Sequence, residues 1–332
     1  MRRTGFLALA AALLTAAAGP ALAADPVKIR IGWSTHPTHL APIMNMRTDM
    51  YKHYGKSYVI EPVRMRGSGP MLTALAAGEV EVTGFSYQAF ALGVINAKVE
   101  VRVIADVIAS REPYRDNGFW VQKGEIKKVA DLKGKNIAVN ARGSGVDAAL
   151  RKMMLDNGLK DGEDYQIVEV NFAAMLPALE SKRVDAAFLV QPFDMRAEKS
   201  GKFDQVFTLR DAMGEQQTVV WAALDGWLQK NRAAVVDFME DHLRFRKWIY
   251  DPANRKEVVA MVAKATRIDG KEFEEWVFTN YDYARDMGGK VDAATLQRNI
   301  DDLHKYNVLP ETFDVKPYVD MSYAEEAAKR LK

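Results

Sequence analysis

Two segments of this 332-residue chain repeat one another. Residues 71–81 (MLTALAAGEVE) and 175–185 (MLPALESKRVD) share Met-Leu-x-Ala-Leu and, further on, Val followed by an acid. Tyr58-x-Ile60 precedes the first copy, Tyr165-x-Ile167 precedes the second, and Gln88 and Gln191 follow them. Each copy reads as a helix between β-leaning runs. The repeat therefore predicts two similar α/β lobes built from βαβ units around largely parallel sheets.

The second lobe carries the tightest local pattern, residues 131–158. Lys135 to Val139 leans toward strand, and Asn140-Ala141-Arg142-Gly143 is too polar and flexible to continue it. A helix follows. Ser144 and Asp147 stand at capping-box spacing, so the serine should accept from the N3 amide while the carboxylate returns to the serine's own amide. Val146, Ala149, Leu150, Met153 and Met154 form one apolar face, and Gly158 can end the helix in the left-handed region. Free amides at such a helix start favour an anion over the Gly143-Ser144-Gly145 turn, with Arg142 adding a full charge. The same turn is also ordinary α/β punctuation, in which Ser144 only caps.

Composition narrows the setting. Arg2 and Arg3 precede an apolar run from Phe6 to Ala18, and Ala21-Leu22-Ala23 has the small-x-small form of a secretory cleavage site. Residues 1–23 are therefore expected to be a signal peptide that stands apart from the fold. The run is short for a bilayer span, and Gly19-Pro20 breaks it. Without Arg2 and Arg3 the 46 basic residues fall to 44, equal to the 44 acidic ones, which argues against nucleic-acid or polybasic membrane binding. There is no cysteine, which excludes thiol catalysis, iron–sulfur clusters, thiolate zinc sites and a lipid anchor on cysteine. A soluble protein of the Gram-negative periplasm, stabilised by its core, is expected.

Val27 to Trp33 alternates like a strand and ends in the polar loop Ser34-Thr35-His36-Pro37-Thr38-His39, ahead of an expected helix from Ala41 to Tyr54. Tyr58 to Met65, Val80 to Phe85 and Val99 to Ile108 read as further strands. Helices are expected from the Gly67-Ser68-Gly69-Pro70 turn through Ala77 and from Gln88 to Asn96. Beyond Trp227 the spacing is helical: Asn231 to Tyr250, Arg255 to Lys264, Lys271 to Tyr281 and Ala293 to Tyr306, with apolar stripes that read as core. Crossing strands near Phe119 to Gln122 and Val219 to Leu224 should join the lobes. Lobe one is then 25–119 with 218–332, and lobe two is 120–217.

Several chemistries can be weighed. Gly143-x-Gly145-x-x-Ala148 satisfies a permissive dinucleotide fingerprint, but its glycines stand several residues beyond the strand, and export would remove the chain from cytoplasmic cofactor pools. His36 and His39 share one loop, where they read as solvated residues, ligand contacts or metal ligands. His53, His242 and His304 are scattered, and HExxH is absent. GxSxG is absent too, and Glu274-Glu275 and Asp301-Asp302 read as solvated helix faces. Recognition groups are more evident than a nucleophile, and no catalysis, cofactor or metal is expected.

Taken in order, VKIRIGW with its polar loop, ALAAGEVEVTGFSYQAF, DLKGKNIAVNARGSGVDAALRKMMLDNGL and ALESKRVDAAFLVQPFDMRAE resemble the periplasmic solute-binding proteins of ABC importers. The nearest branch is the NMT1-like one for taurine, alkanesulfonates, nitrate and thiamine-precursor pyrimidines. The resemblance implies an α/β, two-lobe periplasmic-binding-protein fold of type II, each lobe a mixed, mainly parallel sheet flanked by helices, with the solute in the cleft. It implies ligand contacts at Ser34, His36 and His39, at Phe85, Ser86 and Tyr87, at Asn140, Arg142, Gly143, Ser144 and Gly145, and at Gln191. Family members often carry a proline-containing turn where this chain has Phe85-Ser86-Tyr87-Gln88, and a Trp-Asp-Pro-type turn where it has Val190-Gln191-Pro192-Phe193. Pocket chemistry therefore does not transfer.

The implied function is capture of a small organic anion, a sulfonate or carboxylate, by a monomer that delivers it to a membrane permease driven by a cytoplasmic ATPase. Arg64 and Arg66 stand as additional charges, and Trp33, Phe85 and Tyr87 suit an aromatic body. A neutral pyrimidine-like solute, a periplasmic enzyme and a sensory binding protein are the alternatives.

Overall fold

The computed structural model describes residues 25–34, 37–306 and 308–331; the expected signal peptide and His36 lie outside them. The strands are β1 (Val27–Trp33), β2 (Tyr58–Arg64), β3 (Val82–Ser86), β4 (Val101–Ser110), β5 (Gly118–Gln122), β6 (Asn136–Val139), β7 (Gln166–Glu169), β8 (Ala186–Leu189), β9 (Phe203–Thr208) and β10 (Gln216–Leu224). They form two five-stranded sheets, ordered β2-β1-β3-β10-β4 and β7-β6-β8-β5-β9. In the first, β1 runs parallel to β2 and β3, and β10 lies antiparallel between β3 and β4. In the second, β6 runs parallel to β7 and β8, and β5 lies antiparallel between β8 and β9. Two mixed sheets flanked by helices are the α/β architecture implied by the sequence.

The repeat has a backbone meaning. Glu81 accepts from the Arg30 amide at 2.7 Å while its own amide donates to the Arg30 carbonyl at 3.0 Å. Asp185 does the same with Asn136, at 2.8 and 2.9 Å. In each half the acid thus clamps the chain ahead of the third strand to the first, and Met71, Leu75, Met175 and Leu179 are fully buried beneath. The shared bonds also set a correspondence. Arg30 matches Asn136, so Ser34 matches Asn140; the aligned segments match Ser68 with Phe172 and Ser86 with Val190.

Two expected helices are shorter than their periodicity suggests, because buried side chains capture their backbone. The Ala41–Met44 helix stops early: buried Asp241 takes the amides of Lys52 and His53 at 2.9 and 3.0 Å and the Tyr58 hydroxyl at 3.0 Å. In the 271–281 stretch only the turn Gly270–Glu272 is helical. There the Arg255 guanidinium takes the carbonyls of Phe273 (3.1 Å), Glu274 (2.7 Å) and Val277, and Asp282 takes the Phe278 amide (2.8 Å). Tertiary contact overrides propensity at both places. The crossings differ as well. β5 and β10 each pair within one sheet, so the chain passes between sheets through residues 111–117 and 209–215.

Helices Arg232–Tyr250, Arg255–Thr266 and Ser322–Arg330 pack on the first sheet. Arg196–Glu272 (3.0 Å) and Lys199–Glu275 (2.9 Å) tie the second half to the C-terminal segment, and Gln191 donates to the Tyr281 carbonyl at 3.1 Å.

Candidate functional site

In open α/β sheets the carboxyl ends of parallel strands are where helices start and ligands bind. Here the carboxyl ends of β1, β3, β6 and β8 face one another between the two sheets and enclose a cavity of about 90 Å³. All three matched pairs of the repeat line it: Ser34 and Asn140, Ser68 and Phe172, Ser86 and Val190. The halves approach closely at two glycines. A Cβ at Gly67 would stand 2.8 Å from Asn140 Nδ2, and one at Gly145 would stand 3.4 Å from Ser86 Cβ. Among the described residues lining the cavity there is no Asp, Glu, Lys or Arg.

One end presents donors. Ser68 Oγ accepts from the Ser86 amide at 3.0 Å, and Ser86 Oγ accepts from the Ala89 amide at 3.3 Å as the cap of helix Tyr87–Ile95. Each hydroxyl keeps its proton for something else. Ser144 Oγ accepts from the Asp147 amide at 3.3 Å and donates to Asn140 Oδ1 at 2.9 Å, which turns the Asn140 amide nitrogen outward as a donor. Helices Ser68–Ala76, Tyr87–Ile95 and Gly145–Asp156 all begin here. Apart from the Ala89 and Asp147 amides, which the capping serines take, their first-turn amides, including those of cavity-lining Gly145 and Val146, have no carbonyl upstream to receive them. Such a group of donors, at the positive ends of three helix dipoles, is suited to an acceptor-rich or anionic group.

The other end satisfies itself. Tyr283 donates to Asn117 Oδ1 at 2.5 Å, and Asn117 donates to Gln191 Oε1 at 2.7 Å. Burial holds the Tyr283 hydroxyl far above its ordinary pKa, so it stays protonated. Ile108, Phe188, Val190, Leu209 and Val219 form the cavity's apolar wall.

Of the residues expected from sequence, Ser34, His39, Ser86, Asn140, Ser144 and Gly145 line the cavity. His39 is buried and its Nε2 donates to the Gly84 carbonyl at 2.8 Å, so this nitrogen braces β3. Phe85 and Tyr87 are fully buried in the core and do not line the cavity. Gln191 stands behind Asn117 and orients it. The capping box differs in one bond: the Asp147 carboxylate accepts from the Gly143 amide at 2.9 Å, while the Ser144 amide goes to the Ala141 carbonyl at 3.3 Å.

Arg142 and Gly143 line a different depression. The Arg142 guanidinium pairs with Asp161 at 2.8 Å and its amide donates to Glu169 at 2.6 Å, so the full charge expected over the turn is directed away from the cavity. Arg142→Ala should therefore change solute affinity by less than about twofold in calorimetry, because an exposed ion pair of this kind contributes little. Ser68, Thr38, Asn117, Thr218 and Tyr283 line the cavity without having been expected. Ser68 had a usable signal, since Gly67-Ser68-Gly69 opens a helix as Gly143-Ser144-Gly145 does.

Among the described residues, no group of three His, Asp or Glu is placed to hold a metal, and no helix is long and apolar enough to cross a membrane. A family model described as NMT1-like matches residues 22–263, more than half of the chain. The chain belongs to the NMT1-like family. Among curated relatives of this NMT1-like chain, a Brucella abortus (strain 2308) protein named only for binding is 30% identical over 199 residues. The match covers 58% of this chain and 56% of that one, so the chain spans about half the length of the curated relatives it matches.

Two solved structures illustrate the fold. The alkanesulfonate-binding protein SsuA from Xanthomonas axonopodis pv. citri, solved with MOPS bound, has a TM-score of 0.68 at 18% identity, covering 90% of this chain and 99% of its own. The desulfurization enzyme DSZB has a TM-score of 0.65 at 15% identity, covering 92% of this chain and 100% of its own. At such identities the likeness is one of fold, and this fold serves a binding protein and an enzyme alike.

Proposed function

We propose that the protein is the periplasmic solute-binding component of an ABC importer, capturing a small organic anion through a sulfonate or carboxylate head. One observation carries this reading: the donor-rich end of the cavity, where Ser68, Ser86, Asn140 and first-turn amides converge with no carboxylate among the lining residues. Hydrogen bonds to a charged group are worth about 1.5–3 kcal/mol each, so neutral donors and helix dipoles suffice to hold an oxyanion. The apolar wall receives the body of the solute. The two sheets with their helices act as lobes that close over the solute because it contacts both, and a permease with a cytoplasmic ATPase reads the closed shape.

The absence of a cation among the lining residues favours a second reading, a neutral carbonyl-bearing solute. Thermal-shift comparison of carboxylates and sulfonates with their amides and sulfonamides separates the two. The acids are expected to stabilise the protein and the amides to fail; the reverse order would replace the anion reading. Small-angle scattering should show a smaller radius of gyration with the bound acid, and the acid should be recovered chemically unchanged. Turnover would make the protein an enzyme.

A further inference from the structure

Ser34 and Phe172 line both the inner cavity and an adjoining outer one of about 640 Å³. Pockets for small organic molecules typically run to about 300–1,000 Å³. The inner cavity, at about 90 Å³, holds little more than a head group, whereas the outer one has the volume for the rest of a solute. Its wall from the first half is Trp33, Arg64, Met65 and Arg66, and no acidic residue lines it. The Arg64 guanidinium lies over the Trp33 ring, 5.5 Å from its centroid. Both arginines are exposed, and neither forms an ion pair among the described residues.

We infer that the solute is an elongated dianion, its oxyanion head in the inner cavity and a second acidic group held by Arg64 and Arg66 in the outer one. This rests on the anion reading of the inner cavity. A flat body lying beside Trp33 would span the distance and carry its far acid to the guanidinium groups, which match carboxylate and sulfonate oxygens in a planar fork. Exposed cations act weakly and are screened by salt, so the two together should favour the dianion by about tenfold at low ionic strength and by less at high.

The test pairs mono- and dianions on one ring: benzoate with terephthalate, and benzenesulfonate with 4-sulfobenzoate, by calorimetry on the full chain. At least one dianion should bind about tenfold tighter than its partner, and in Arg64→Gln/Arg66→Gln that ratio should fall to within about twofold. Both side chains are exposed, so the double variant should melt like the parent. Equal binding within both pairs, or a ratio that survives the double substitution, overturns the dianion while leaving the oxyanion head standing. Binding of none of the four overturns both.

Discussion

Replacing Asn140 with aspartate is expected to weaken binding of the acid by about 2 to 5 kcal/mol, or tens to thousands of fold, with the fold retained. The substitution is nearly isosteric, and Oδ1 still accepts from the Ser144 hydroxyl, now at 2.9 Å. The change falls on the other atom, where a donor becomes an anionic oxygen. Asn140 is 8% exposed and no Lys or Arg lines the cavity, so the new charge would meet the solute's own with nothing to offset it. Calorimetry with the best acid from the thermal-shift series, beside a melting curve, reads both effects. An aspartate variant that binds the acid like its parent would show that the head lies elsewhere.

Arg285→Ala should cost about 3 to 5 kcal/mol of stability, as expected when one member of a buried pair is removed. Arg285 is 4% exposed; its guanidinium meets Asp282 at 3.1 Å, the Tyr250 hydroxyl at 3.0 Å and the Pro37 carbonyl at 3.1 Å. Truncation strands the Asp282 carboxylate, which is 0% exposed, and frees the loop that delivers Thr38 and His39 to the cavity. Affinity should fall with stability. In denaturant titrations Arg285→Ala/Asp282→Asn should recover part of the loss, because the unpaired charge is gone. Unchanged melting of the single variant would mean that the pair does not brace the loop.

What could be read from the residues follows the reach of the forces involved. Ser86, Asn140, Ser144 and Gly145 were accessible because strand ends and capped helices are local, and the repeat carried the architecture of both sheets. Tyr283 was hidden because it meets Asn117 across 166 positions, from a C-terminal region whose spacing read only as helix. Arg142 misled for the opposite reason. Its charge was plain, but its direction is set by Asp161, a partner that no periodicity marks. The early ends of the helices expected at 41–54 and 271–281 share this cause, since Asp241 and Arg255 act from distant segments.

The position of β10 between β3 and β4 gives biogenesis of the chain a direction. All of the second sheet is encoded between β4 and β10. While the polypeptide is being delivered, β3 and β4 are present long before the strand that must separate them, and each offers an unpaired edge to any passing neighbour. The second sheet needs only contiguous chain, residues 118–208, and can close first. Once closed, it holds the root of β10 one short crossing away from the gap, shortening the search that would otherwise leave those edges open to aggregation.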